Sequence, residues 1–334
     1  MRRVLARQEA LIGLAIVVIA AVFAVLAPAF LTPDHVFTIL RGIVPVGIMA
    51  LGLLVVLIGG GIDISVSAVA VTSMYVTVTL LGNVGYQGPV ILAIVISCAF
   101  GAVLGLINGA LVSVLHLPAL IVTLGTLTLY RGALLAFVGT ERINILPAQM
   151  VDFSRASLLT VPYGAGRSAT LPFTVLILVA LAVALALVLR YTTWGRALYA
   201  MGDDENNARR HGVNVVRVRL VSFVISGALA GVAGVVWGSM NRSADPFSIV
   251  GSELDVLAAA VIGGASIVGG RGTVIGTVLG VLLVGLIGSS LTLIGVPSEW
   301  RQAFIGAFLL LAIGLPALRR RLSERQNGIV VSIS

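Results

Sequence analysis

Apolar residues run along this chain in long blocks, broken by short polar or glycine-rich interruptions. A bilayer core takes roughly 20 consecutive apolar residues per helix. On that ruler the chain divides into about ten spans, near residues 10–30, 43–60, 66–81, 89–114, 118–138, 171–190, 220–240, 253–269, 273–294 and 302–318. The pattern predicts an all-α membrane protein, a polytopic helical bundle forming a single transmembrane domain over residues 1–334. Two interruptions are unusually short. The second and third spans meet at Gly59-Gly60-Gly61 with Asp63, and the eighth and ninth are separated only by Gly269-Gly270-Arg271-Gly272. The apolar run from Ala10 to Leu26 follows Arg2, Arg3 and Arg7 in the manner of a signal peptide. It is long and no clean Ala-x-Ala site follows it, so it is expected to stay as an uncleaved first span.

Composition agrees with this pattern. Hydrophobic types make up 59% of the chain and charged types 10%, against about 25% charged in soluble domains. All 21 basic residues are arginine. With the N-terminus inside, 14 of them (Arg2, Arg3, Arg7, Arg190, Arg196, Arg209, Arg210, Arg217, Arg219, Arg271, Arg319, Arg320, Arg321 and Arg325) fall in inner segments. Six (Arg41, Arg142, Arg155, Arg167, Arg242 and Arg301) fall in outer ones, and Arg131 lies within the fifth span. That bias predicts both termini in the cytoplasm and an even number of spans. The basic segment 319–334 is then a cytoplasmic tail. The arginines sit between spans and at the ends, with no basic domain, so the net charge of +8 does not indicate a nucleic-acid partner. Membrane lipid is the expected surrounding.

The lack of lysine excludes a P-loop within this chain, because that motif needs a lysine at the β- and γ-phosphates. Cys98 is the sole cysteine, and His35, His116 and His211 are far apart near span ends. No metal site, cofactor, nucleophile–base pair or catalytic residue is expected.

Two connections are longer than a link requires. Residues 139–170, an external loop in this topology, hold Pro147 and Pro162 and either cap an entrance, dock an external partner or simply connect. Residues 191–219 form the most polar stretch. There Asp203-Asp204-Glu205 precede Asn206-Asn207-Ala208-Arg209-Arg210. Acids at the start and arginines at the end of a helix complement its dipole, and Gly212 with Asn214 supplies a stop. A short cytoplasmic helix is expected there, either a docking element for a partner or a solvated connector.

Polar residues inside or beside the spans are the candidates for lining or gating a pathway, because such groups usually face a bundle interior or a water-filled route. They are Asp63 and Ser65 at the glycine break, Asn108 in the fourth span, Thr126 and Arg131 in the fifth, and Glu253 and Asp255 at the start of the eighth. Each has a plainer reading. Asp63 suits a helix N-cap, threonine hydroxyls bond back to their own helix, and Arg131 can snorkel to the interface. Gly227 to Gly231 with Gly234, and Gly272, Gly276 and Gly280, predict close helix packing.

The segments GGGIDISVSAV, LPALIVTLGTLTLYRG, ENNARRHGVNVVRVRL and ELDVLAAAVIGGASIVGGRG together resemble the permease family of ABC importers for ribose and related monosaccharides, over about Phe30 to Leu318. Ser67 departs from the glycine that many members carry there. The resemblance implies a translocation subunit of the bacterial inner membrane without its own ATPase. Its partners would be ATP-binding-cassette ATPase subunits, a second permease subunit (the same or a paralogue), and a periplasmic or lipid-anchored sugar-binding protein. It also implies that Gly202, Asp203, Glu205, Asn206, Ala208, Arg209 and Gly212 belong to the loop that couples to the ATPase. An ion-coupled secondary transporter of a small polar solute is the alternative, with Asp63, Glu253 and Asp255 as its only candidate coupling acids.

Overall fold

The computed structural model describes residues 2–297 other than residue 165, and a scatter of positions between 300 and 314; of residues 2–7 it describes the backbone. Among the described residues, eight helices are long and apolar enough to cross a membrane. They are α1 (Arg2–Leu26), α2 (Pro33–Ile58), α3 (Val66–Asn83), α4 (Ile91–Ser113), α5 (Ala119–Ala133, continued by a π-helical turn at Leu134–Val138), α7 (Thr174–Tyr191), α10 (Val215–Asn241) and α12 (Val274–Leu293). Shorter elements join them: α6 (Ala148–Arg155), the strands β1 (Ser157–Tyr163) and β2 (Arg167–Pro172), α8 (Thr193–Asp203), α9 (Glu205–Arg210) and α11 (Glu253–Ile262).

Two expectations change. The second span starts ten residues early, at Pro33, because Thr32 accepts a hydrogen bond from the His35 amide and Pro33 occupies the first turn. Arg41 therefore lies inside α2, where its Nη2 donates to the Met240 carbonyl at 2.6 Å. The eighth span is a half-length helix of ten residues, α11, which stops at Gly263. The tenth span, 302–318, lies mostly outside the described residues, as does the tail 319–334.

The bundle is organised around α2, whose residues 43–58 are buried almost without a break. Helices α10, α12, α11 and α7 pack on it. The most extensive helix pairing is that of α4 with α10. A Cβ placed on Gly101 would lie 2.2 Å from the Gly227 carbonyl oxygen, and one on Gly231 2.0 Å from that of Ser97. The Ser97 hydroxyl donates to the Gly231 carbonyl at 2.7 Å. The backbones touch because no side chain stands between them. Gly276 and Gly280 of α12 approach Gly263 and Ala259 in the same way.

The segment read as a long connection holds α6 and an antiparallel hairpin, with Thr160 opposite Thr170 and Tyr163 opposite Arg167. It is tied down by a bridge between Ile143 and Ala244, by Arg142 donating to Ser243 Oγ at 3.1 Å, and by the Tyr75 hydroxyl donating to the Glu141 carbonyl at 2.8 Å. These ties sit beyond the C-terminal end of α10. Helix α9 precedes its N-terminal end, about 40 Å away at 1.5 Å per residue over 27 residues.

Candidate functional site

The α2–α3 connection leaves Asp63 almost fully buried. One carboxylate oxygen accepts from the Ser65 amide at 3.0 Å and the Ser65 hydroxyl at 2.6 Å. The other accepts from Ser226 Oγ on α10 at 2.9 Å. Asn108 Nδ2 on α4 donates to Ser65 Oγ at 2.8 Å, and the Tyr130 hydroxyl on α5 lies 2.9 Å from both Asn108 Oδ1 and the Leu104 carbonyl. Thr123 Oγ1 donates to the Ile62 carbonyl at 3.1 Å. The carboxylate thus touches its own connection and α10, and α4 and α5 join the same buried network through Ser65 and Asn108; pairing of this kind makes such a group tolerable in low dielectric. The N-cap of α3 is Ser65 rather than Asp63. Asp63 instead closes the turn two residues earlier, through the Ser65 amide.

Thr126 is buried on α5, and its hydroxyl points back to the Thr123 carbonyl at 3.4 Å. Arg131 is half-buried in the last turn of α5, and among the described residues its guanidinium meets no carboxylate. Glu253 and Asp255 belong elsewhere. Glu253 Oε2 accepts from the Gly251 amide at 2.9 Å, in the turn before α11. Asp255 is buried and borders a cavity of about 190 Å³ with Ile39 and Ile43 of α2 and Val284, Ser289 and Thr292 of α12. No residue of the Asp63 network lines that cavity. The seven residues therefore fall into at least two separate groups.

The polar segment 191–219 folds as two helices. Thr192 caps α8 and Asp204 caps α9, its carboxylate accepting from the Asn207 amide at 2.9 Å. Ala208 is buried, while Asp203, Asn206 and Arg209 face outward. Glu205 accepts from Arg209 at 2.7 Å and, through its other oxygen, from Arg219 in the first turns of α10. Burial alone would raise the Glu205 carboxyl. The hydrogen bonds and charges of Arg209 and Arg219 outweigh that and hold it below its ordinary value. Gly212 has φ +81° and open space around it, so its role is backbone conformation after α9 rather than clearance.

Gly202 is the opposite case. A Cβ there would lie 1.8 Å from the Ile58 carbonyl oxygen and 2.6 Å from the Gly270 nitrogen. Gly270 donates its amide to the Ile58 carbonyl at 2.9 Å, and the Tyr199 hydroxyl donates to the Gly272 carbonyl at 2.8 Å. The end of α8, the end of α2 and the α11–α12 connection thus meet backbone to backbone in a three-way glycine joint. Ser226, Arg219 and Tyr199 were not singled out by sequence reasoning. Ser226 and Tyr199 act on partners far along the chain, and Arg219 on one 14 residues back.

The family model described as "Branched-chain amino acid transport system / permease component" matches residues 35–313. The ribose import permease protein RbsC of Escherichia coli (strain K12) is 31% identical over 309 residues, covering 92% of this chain and 93% of that protein. The autoinducer 2 import system permease protein LsrC of Escherichia coli (strain K12 / DH10B) is 37% identical over 267 residues, 80% of this chain and 74% of that protein. LsrC of Enterobacter sp. (strain 638) is 36% identical over 334 residues, 99% and 93% of the two chains. No solved structure matches.

Proposed function

This chain belongs to the family of branched-chain amino acid transport system permease components, and from that premise we propose that it is the transmembrane permease subunit of an ATP-binding-cassette importer for a monosaccharide-type solute such as ribose, rhamnose or autoinducer-2. The relatives named for ribose and autoinducer-2 import support that substrate class. In this reading the chain is a translocation component of the bacterial inner membrane, and separate ATPase subunits supply the energy. A periplasmic or lipid-anchored binding protein delivers the solute, and a second permease subunit completes the pathway. The bundle alternates access between the two sides.

The observation that carries this reading is the glycine joint. An exposed polar turn, α8–α9, is wedged without intervening side chains against the α2–α3 break and the α11–α12 connection. We take Gly202, Asp203, Glu205, Asn206, Ala208, Arg209 and Gly212 as the element that docks on the ATPase from the cytoplasm. The arginine bias supports that side. Asp63, Ser65 and Asn108 hold the break in register, with Thr126 and Arg131 on the adjoining helix; Asp255 borders the cavity taken as part of the solute route, and Glu253 holds the turn that leads into its helix.

The test is affinity purification of the chain from its native membranes in mild detergent, followed by identification of co-purifying proteins. A stoichiometric P-loop ATPase is the expected result. A chain recovered alone that still takes up solute after reconstitution without ATP would overturn the proposal in favour of an ion-coupled transporter.

A further inference from the structure

Glu205 holds two arginines, and they differ in kind. Arg209 is one turn along the same short helix, and its side chain is 46% exposed. Such local surface pairs do little. Arg219 belongs to α10 and its side chain is only 18% exposed. Its pairing with Glu205 crosses from the exposed turn into a membrane-spanning helix, with a charge-assisted hydrogen bond of the stronger class.

What α10 carries next gives that link its meaning. Ser226 stands seven residues beyond Arg219, about two helical turns, and so on the same face. Its hydroxyl donates to Asp63. From Asp63 the bonds continue through Ser65 to Asn108 on α4 and Tyr130 on α5. The α10 segment between these two attachments is itself clamped: a Cβ on Gly105 of α4 would lie 2.3 Å from the Phe223 carbonyl oxygen. An exposed acid at one end and a buried acid at the other are therefore joined by a stiff length of helix with a polar attachment at each end.

We propose that Arg219 is a positioning residue of the transport cycle: its pairing with Glu205 yokes α9 to α10, and Ser226 passes the displacement of α10 to Asp63 at the α2–α3 break. This rests on the reading of α8–α9 as the docking element. It adds a second line of force, separate from the glycine joint, and assigns it to a residue outside the docking turn.

The experiment uses the full complex with its ATPase subunits in proteoliposomes, and reads solute transported per ATP hydrolysed. The variants are Glu205→Gln, Arg219→Gln, the double variant, Arg219→Lys, and Arg217→Gln on the exposed neighbour. Co-purification of the ATPase and a monodisperse profile report assembly. Each single glutamine variant is expected to stay assembled and hydrolyse ATP, while transport per ATP falls about tenfold. The double variant should fall no further than either single one, because both remove the same link. Arg219→Lys should recover part of the loss, and Arg217→Gln should stay within about twofold of the parent. Single variants that transport normally, or a double variant whose loss is the product of the two, would overturn the proposal. A parent chain that brings down no ATPase would remove the docking reading first, and this inference with it.

Discussion

Ser226 reaches across 163 positions of sequence to the second carboxylate oxygen of Asp63, at 2.9 Å. That contact fixes where α10 lies relative to the break between α2 and α3. It also accounts for an acid so far from water. Three donors converge on the carboxylate, two from Ser65 and one from Ser226.

Replacing Asp63 should therefore act first on the fold. Asp63→Ala strands three buried donors, each worth about 1–3 kcal/mol when left unpaired. The expected result is a lower thermal midpoint and several-fold less monodisperse protein. Asp63→Asn keeps one acceptor oxygen and should fall between the two. Fluorescence-detected size-exclusion after heating measures it, and parental stability in the alanine variant would remove the network's structural role.

Gly202→Ala tests the glycine joint. Its Cβ would overlap the Ile58 carbonyl, so one of the three segments has to move. Membrane insertion should be preserved and uptake lost. Uptake at the parental rate would mean that the joint tolerates a shift of its backbone and transmits nothing.

Helix packing gives a paired prediction. Gly101→Ala or Gly227→Ala forces α4 and α10 apart, since each Cβ would sit 2.2 Å from a carbonyl oxygen of the facing helix. Overpacking of this kind costs about 1–3 kcal/mol. Gly132→Ala on α5 meets nothing within 4 Å and should leave the thermal midpoint near that of the parent. Equal effects at the three positions would contradict the packing described.

The Glu205 pairing makes the attachment of α9 depend on pH in a known direction. The carboxyl is held below its ordinary value of 4.5. The stabilisation is therefore fully present above that value and disappears as pH falls through the lower, folded one. Asp203, Asp204 and His211 also flank the helix, so Glu205→Gln serves as the reference. Protection of the α9 amides, taken relative to the intrinsic exchange rate at each pH, should fall in the parent on acidification below about pH 4.5, with a smaller change in the variant. Identical profiles would show that the pair holds nothing.

Much of the bundle was legible because lipid imposes a single rule, an unbroken apolar stretch for each crossing helix. The same rule misled where it was broken. Arg41 interrupts the apolar run and pushed the expected start of α2 to residue 43, although Thr32-Pro33 is a readable helix start. The eighth span was read too long because Ala265 to Val268 is apolar but for Ser266. What ends α11 is Gly264, whose φ of +92° lets the Ala265 amide donate back to the Ala260 carbonyl at 3.0 Å, a stop that Gly263-Gly264 made readable. The hairpin had a local signal in Tyr163-Gly164 and Gly166-Arg167, where both glycines take positive φ.

The candidate site was legible in part for a similar reason. Asp63 and Asn108 stand out against apolar neighbours. Ser226 does not, since a serine within a run of small residues reads as packing. Its significance comes from the residue it faces, and that is fixed by how α10 crosses α3 and α4. Glu253 and Asp255 are two positions apart in sequence, yet one closes a turn and the other borders a cavity.

The burial of α2 bears on how the molecule is made. In its apolar window α2 is 78% enclosed by protein, whereas α1, synthesised just before it, is 11% enclosed. When α2 leaves the ribosome, α10 and α12, which will surround it, do not yet exist. Lipid must stand in for them during the synthesis of more than half the chain and then be displaced. Since lipid tails are as apolar as the helix they solvate, that exchange is driven by close packing rather than by escape from water. The small residues of α10 and α12 are thus also the late components that recruit an early helix out of the bilayer, and biogenesis of the pathway is completed from its C-terminal half.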